Sequence, residues 1–224
     1  MSTESSAASS TASSAGPDQA GRPAPGFPVL RIPPAGAALE PISFEAVAGD
    51  AVGPAAEAIR SGLADVRLEV FVKEQGVPFI EEIDAQDDEA TTVHVLARGA
   101  DGAPLAAGRI LLDPSHPREA HLGRLAVRRV ARGTGLGARM VSELERAALS
   151  ALATAGEAER EITVILSAQE QAMGFYERCG YTAVSGESYM DAGIPHQDMR
   201  RTVTSDPAHP GGTAGLRRPG EPRP

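Results

Sequence analysis

The chain has 224 residues, 42% of them hydrophobic, with 21 Lys and Arg against 30 Asp and Glu and a formal net charge of −9. That length and apolar content allow one substantial core, while the acidic balance disfavours nonspecific nucleic-acid binding, which wants a basic surface. No run approaches the ~18 uninterrupted apolar residues of a membrane-spanning helix, and a single cysteine, Cys179, precludes an internal disulfide and fits a reducing compartment.

In chain order, Met1 to Gly26 is rich in Ser, Ala, Pro and Gly, with no aromatic residue before Phe27. It lacks the basic start and apolar centre of a secretory signal, and its first basic residue is Arg22, which argues against a transit peptide. The C-terminal stretch is again Pro, Gly and Arg. Neither end has the apolar surface to offset the entropy of ordering it. The expected organisation is a disordered tail at 1–40, one domain at 41–203 and a second disordered tail at 204–224, in a cytoplasmic protein.

Within the domain, Ala55 to Gln75 has helical periodicity, with Leu63, Val66, Val70 and Phe71 on one face and Arg67 and Lys73 off it. Pro54 suits a first helical turn, Gly76 and Pro78 a stop, and Gly62 is a point at which the helix could divide. Glu81, Glu82, Asp84, Asp87, Asp88 and Glu89 read as a solvated acidic loop, with attraction of a cationic substrate as the sharper alternative. Thr91 to Arg98 and Leu105 to Leu112 are predicted strands around an Asp101-Gly102 hairpin turn, and His121 to Val127 a third strand. Gly137 to Ala153 is an amphipathic helix, its apolar stripe carried by Met140, Val141, Leu144 and Ala148. Ile162 to Leu166 reads as a strand buried on both faces. A helix from Gln169 to Cys179 capped by Gly180 follows, then strands at Tyr181–Val184 and His196–Val203 separated by a loop at Gly186–Gly193.

Between Leu125-Ala126-Val127 and the long helix lies Arg132-Gly133-Thr134-Gly135-Leu136-Gly137. Glycines at alternate positions let a ligand approach the backbone closely. The helix that follows offers unpaired N–H groups and the positive end of its dipole at the same spot, and Arg132 adds a cation. This is an anion site suited to a phosphate or pyrophosphate. Arg124, Arg128, Arg129, Arg132 and Arg139 cluster around it, either as a solvated charge run or in service of that ligand.

The order of elements, with Leu125-Ala126-Val127 before Arg132-x-x-Gly135-x-Gly137 and then Phe175-Tyr176-x-x-x-Gly180-Tyr181, resembles the GNAT N-acyltransferase superfamily. Val70-Phe71-Val72-x-Glu74-Gln75, Pro78, Glu82-x-Asp84-x-x-Asp87 and Gly193-Ile194-Pro195-His196 look like its ElaA-like branch. The resemblance covers nearly the whole domain. It implies an α+β fold, with a central mixed, mostly antiparallel sheet, a splayed parallel strand pair and flanking helices. It also implies an N-acyltransferase that moves an acetyl or other short acyl group from acetyl-CoA or another acyl-CoA to an amine, by direct attack in a ternary complex. The pyrophosphate would sit on the amides from Gly133 to Ala138, spanning Thr134, Gly135, Leu136 and Gly137, with Arg132 at the turn. The pantetheine arm would run along Leu125, Ala126 and Val127, and backbone N–H groups near Val127 would polarise the thioester carbonyl. Many GNAT proteins carry an Asn after the strand that ends here at Ser167, where this chain has Ala168-Gln169; Gln169 is the substitute candidate for a pantetheine contact.

The family motif nominates Tyr176 as the acid that protonates the departing thiolate, against core packing of Phe175 and Tyr176 as the plain alternative. Glu82 is the nominated base, needing burial or neighbours to make it strong enough. His94, His121 and His196 are further candidates, as is a water-mediated route. No His, Cys, Asp and Glu cluster has metal-ligand spacing, so no metal is expected, and Cys179 reads as a packed thiol.

Two rival readings stand beside this one. Gly133-x-Gly135-x-x-Ala138 satisfies a dinucleotide fingerprint, but Arg128 to Arg132 separate it from the strand, and an antiparallel meander precedes it. A GNAT-like module that binds acyl-CoA without transfer is the other, disfavoured by the retained Tyr176. The expected acceptor is a small-molecule or peptide amine; no nucleic acid or membrane is expected, and the only protein partner entertained is a second copy of the chain.

Overall fold

The structure is a computed structural model that describes residues 41–82, 84–154 and 161–204. The expected tails at 1–40 and 204–224 lie outside these residues, apart from Thr204, which ends the last strand.

One eight-stranded sheet organises the chain, in the order β1-β2-β3-β4-β5-β8-β6, with β7 paired to β8. These strands are β1 (Ser43–Ala48), β2 (Thr92–Arg98), β3 (Pro104–Leu112), β4 (Glu119–Val127), β5 (Glu161–Gln169), β6 (Thr182–Ala183), β7 (Tyr189–Asp191) and β8 (Ile194–Thr204). Every pairing is antiparallel except β4 with β5. The mixed, mostly antiparallel sheet with flanking helices is the fold the sequence leads one to expect.

Helix α1 (Pro54–Arg67) covers one face, with Leu63, Val66 and the following Val70 packed against Leu96, Ala107 and Ala126. Pro54 sits in its first turn as expected. Gly62 does not divide it: a Cβ there would lie 2.7 Å from Leu96 Cδ2, so the residue lets the helix approach the sheet. From Leu68 to Glu74 the coil widens, and Gln75 N–H donates to Val70 O five residues back. Helix α3 (Leu136–Thr154) covers the other face, where Leu136, Met140, Val141, Leu144 and Ala148 meet Val95, Ile110, Leu122, Val164 and Met199. No helix among the described residues is long and apolar enough to cross a membrane.

Four elements differ from expectation. β1 is an edge strand whose residues are all partly or fully exposed, so it carries little hydrophobic signal. β5 is nine residues long and alternates: Ile162, Val164, Leu166 and Ala168 are buried and the residues between them are not, so it has one core face rather than two. Part of the expected Gly186–Gly193 loop is the β7–β8 hairpin, closed by Ala192 and Gly193 with φ of 47° and 77°, the positive values of a type I′ turn. The expected helix over Gln169–Cys179 shortens to α4 (Met173–Arg178), and Gly180 caps it at φ 90° as expected.

β4 carries a bulge. Ala126 faces Ala107 and Gly123 faces Arg109, so Arg124 and Leu125 together oppose Gly108. Arg124 adopts φ 53°, left-handed backbone in a residue that has a Cβ.

Candidate active site

β4 and β5 pair through Glu119↔Thr163, Ala120↔Val164 and His121↔Ile165 and then separate, β4 staying with β3 and β5 with β8. Leu125, Ala126 and Val127 therefore have no β5 partner, leaving an open V at the carboxyl ends of the parallel pair. This is the splayed pair expected from the sequence.

β4 continues through a single turn at Arg129–Ala131 into the glycine segment. Gly133 and Gly135 take φ of 77° and 86°, left-handed values that strain any residue with a Cβ. The amides of residues 133–138 have no hydrogen-bond partner among the described residues; the first to find one is Arg139 N–H, on Gly135 O at 3.2 Å. These donors sit at the N-terminus of a 19-residue helix, the arrangement that binds phosphate. A Cβ on Gly137 would stand 3.2 Å from the Phe175 ring, so the first turn of α3 lies close on α4. Thr134 Oγ1 donates to Ala131 O at 2.7 Å and braces the turn.

The clustered arginines are not free cations. Arg132 donates from Nε to Val127 O at 2.8 Å and from Nη2 to Glu74 Oε2 at 2.7 Å, tying the end of β4 to the widened helix. Arg128 lies 3.1 Å from Glu69, the largely exposed Arg129 3.9 Å from Glu74, and Arg139 stacks 4.9 Å over Phe44.

A cavity of about 330 Å³ lies at the V. β4 supplies Leu122 to Leu125, β5 supplies Ser167 and Gln169, α4 supplies Tyr176, and the β7–β8 hairpin supplies Asp191, Ile194 and His196. Glu81 and Glu82 line it from the short helix α2 (Phe79–Glu82). Of the residues expected along an acyl-CoA, Leu125 lines the cavity; Ala126, Val127 and the turn at 132–138 do not, and form the stretch that continues beyond it.

Tyr176 is 9% exposed, and no described residue bonds its hydroxyl. Its ring makes edge contacts with Phe175 and Tyr181 at 5.0 and 5.9 Å. Burial pushes its phenol far above the ordinary tyrosine value, so it holds its proton at neutral pH. Packing and presentation to the cavity thus coexist. Gln169 donates to Gln75 Oε1 at 3.1 Å, linking the end of β5 to the end of the widened helix.

The solvated-loop reading holds for the exposed Glu81, Asp88 and Glu89 but not for Glu82, Asp84 and Asp87. Glu82 is 6% exposed and bonded through Oε1 to Arg67 Nε, while Arg124 Nε lies 3.4 Å from its Oε2. Asp87 meets Arg67 at 2.8 Å and Arg109 at 2.7 Å, and Asp84 meets Arg109 at 2.8 Å. Three guanidinium groups thus balance three carboxylates. Arg67, read as lying off the apolar face, is 8% exposed because it is the centre of this network. Burial raises the carboxyl pKa of Asp84 and Asp87, but bonds from Arg109 and Arg67 outweigh it and hold both below the usual range.

The three candidate histidines separate. His94 is 2% exposed; its Nε2 donates to Asp87 O at 2.8 Å and its Nδ1 is enclosed without a partner, so burial lowers its pKa and it braces the acidic segment away from the V. His121 is exposed on β4 and does not line the cavity. His196 does line it. Cys179 is buried, a packed thiol as expected. Among the described residues no three His, Cys, Asp or Glu side chains form a group that could hold a metal ion.

Arg124, Ser167 and Asp191 reach the cavity without having been singled out for it. The bulge that aims Arg124 leaves no mark in the local sequence, whereas Ala192-Gly193 is a weak hairpin signal that could have placed Asp191.

Residues 57–203 match the family model described as an acetyltransferase (GNAT) domain. The chain is 38% identical over 137 residues to an uncharacterized N-acetyltransferase, YjcF, of Bacillus subtilis, covering 61% of this chain and 87% of that one. Among solved structures, it is similar to an acyl-CoA N-acyltransferase from Pseudomonas aeruginosa at TM-score 0.58 and 32% identity, over 72% of this chain and 99% of the other. It is also similar to Escherichia coli ElaA at TM-score 0.59 and 26% identity, over 71% and 99%.

Proposed function

The chain belongs to the GNAT acetyltransferase family, and on that premise we propose that it moves an acetyl or other short acyl group from acyl-CoA to a primary amine, with both substrates held together in the V. The observation that carries this reading is the opening of β4 from β5 after three paired residues, onto a cavity lined by Tyr176, with the glycine turn at the end of the same strand.

The amides of residues 133–138 and the N-terminus of α3 take the pyrophosphate. The unpaired edge of β4 at Leu125, Ala126 and Val127 takes the pantetheine amides, whose hydrogen-bonding groups need partners once out of water. Arg132 acts by holding the turn to β4 through Val127 O. The amine enters from the side bounded by Glu81, Glu82 and Asp191; Glu82 and Arg124 belong to the balanced network, so Glu81 and Asp191 supply the surplus negative charge there, which suits a cationic amine, metabolite or peptide N-terminus, over an anionic one. As the amine nitrogen bonds to the thioester carbon and the C–S bond breaks, Tyr176 protonates the sulfur. The buried phenol is held protonated for that step. The amine proton leaves on the acceptor side, where Glu82 and His196 both line the cavity.

The test is CoA release from acetyl-CoA across primary amines graded in size and charge. Tyr176→Phe lowers kcat by about 100-fold, the low end for a general acid because a thiolate leaves readily, while acetyl-CoA affinity by calorimetry stays unchanged. An unchanged rate removes Tyr176 from the mechanism; acetyl-CoA binding with no CoA release for any amine replaces transfer by binding alone.

A further inference from the structure

Resting on the acyl-transfer reading, we propose that His196 Nε2 is the atom that takes the proton from the attacking amine. His196 is 8% exposed, lies opposite Gln169 in the β5–β8 register, and lines the cavity that also holds Tyr176.

Its chemistry is fixed by one contact. Nδ1 lies 2.8 Å from Ile194 O. A carbonyl oxygen only accepts, so Nδ1 carries the hydrogen. The neutral ring then has its lone pair on Nε2, and no described residue bonds that atom. The ring plane is fixed as well, because His196 stacks on Tyr189 with centroids 6.2 Å apart and 23° between planes. Tyr189 is itself anchored: its hydroxyl donates to Asp198 Oδ1 at 2.6 Å and meets Ser167 Oγ. Tautomer and orientation are therefore set before an amine arrives, as a positioned base requires.

Glu82 compares poorly on the same criteria. One carboxylate oxygen is bonded to Arg67 and the other lies 3.4 Å from Arg124 Nε, so taking a proton would unbalance a buried network of three carboxylates and three guanidinium groups. His94 has the opposite tautomer and an enclosed free nitrogen.

The step balances as follows. The lone pair of a neutral primary amine forms the N–C bond, its N–H proton passes to His196 Nε2, the C–S electron pair goes to sulfur, and sulfur takes the Tyr176 proton. His196 then releases its proton to solvent and Tyr176 regains one, so the amine has in effect lost a proton to the thiol.

The test uses the full chain with acetyl-CoA and two probe amines, 2-phenylethylamine and 1,4-diaminobutane, or whichever amine of the graded panel the wild type turns over best. In His196→Asn the side-chain amide retains a donor for Ile194 O but no base. Its kcat falls by about 100-fold or more, with acetyl-CoA affinity within about twofold of wild type on the scale where tenfold is 1.4 kcal/mol. In His196→Ala, added imidazole restores activity with saturation, which a purely structural role would not allow. Wild-type kcat in His196→Asn overturns the proposal. So does a loss in both variants that imidazole leaves untouched, since that assigns His196 to packing. A wild type that binds acetyl-CoA yet releases no CoA with any amine brings down the acyl-transfer reading and this assignment with it; an active wild type beside a fully active His196→Asn brings down this assignment alone.

Discussion

The turn at residues 132–138, the proposed pyrophosphate site, would offer its ligand groups from the main chain, with two glycines in left-handed conformation and six amides that have no partner among the described residues. The segment holding Glu82, Asp84 and Asp87 offers side-chain charges, and those are matched by arginines from α1, β3 and β4. A backbone site depends on which residues can adopt a conformation, so it fails when a Cβ is added. A side-chain network depends on partners brought from distant sequence, and it fails when one charge is removed. The proposed donor half is thus tolerant of its surroundings and sensitive to shape. The proposed acceptor half is the reverse.

The largest effect expected from breaking this contrast is on folding. Arg67→Met leaves Glu82 and Asp87 short of a buried partner and costs about 3–5 kcal/mol, the range for removing one side of a buried ion pair, read as a lower urea midpoint at neutral pH. A cost below about 1 kcal/mol would class the network with surface pairs and dissolve the distinction. Next, Gly135→Val weakens acetyl-CoA binding about 100-fold, or about 2.7 kcal/mol, while the fold loses only the ~1–2 kcal/mol of a left-handed residue; calorimetry and urea titration separate the two. Wild-type affinity in that variant would remove the pyrophosphate from the turn. The smallest effect comes from acid. Asp84 and Asp87 have folded pKa values below the ordinary 3.8, so the stability they supply is fully present above that value and is lost as pH falls through their lower folded values. An Asp87→Asn protein shows a shallower stability loss below about pH 4, the ordinary aspartate range, and an identical acid profile would show that the network does not titrate with the fold.

How much of this could be read in advance follows the same division. The glycine turn, the stripe of α3 and the Gly180 cap are local patterns, and each was legible because periodicity or backbone freedom is written in neighbouring residues; Tyr176 was nominated by the family resemblance alone. The acidic segment looked like a solvated loop because its partners, Arg67, Arg109 and Arg124, lie 15 to 42 positions away from Glu82 or on other strands, and no local rule joins them. β1 escaped notice because an exposed edge strand shows no clear alternation. His196 could be suspected from its motif, but its tautomer rests on a contact with Ile194 and its orientation on a hairpin that only the fold reveals.

The bulge in β4 has the character of a parity change. Before it, Ala120 and Leu122 pack into the cluster beneath α3; after it, Leu125 and Val127 do so, while Ala126 belongs to the cluster beneath α1. Even positions face one layer on one side of Arg124 and odd positions on the other. The same residues held in unbroken alternation, with no bulge, would have to bury Ala126 with Leu122 and turn Leu125 and Val127 toward α1. One residue in left-handed backbone thus lets a single strand serve two layers in opposite phase, and it carries the parity itself: losing Arg124 alone would leave a regular strand with Leu122, Leu125 and Val127 still on one face, whereas losing Arg124 and Leu125 together would put Ala126 on the face of Leu122.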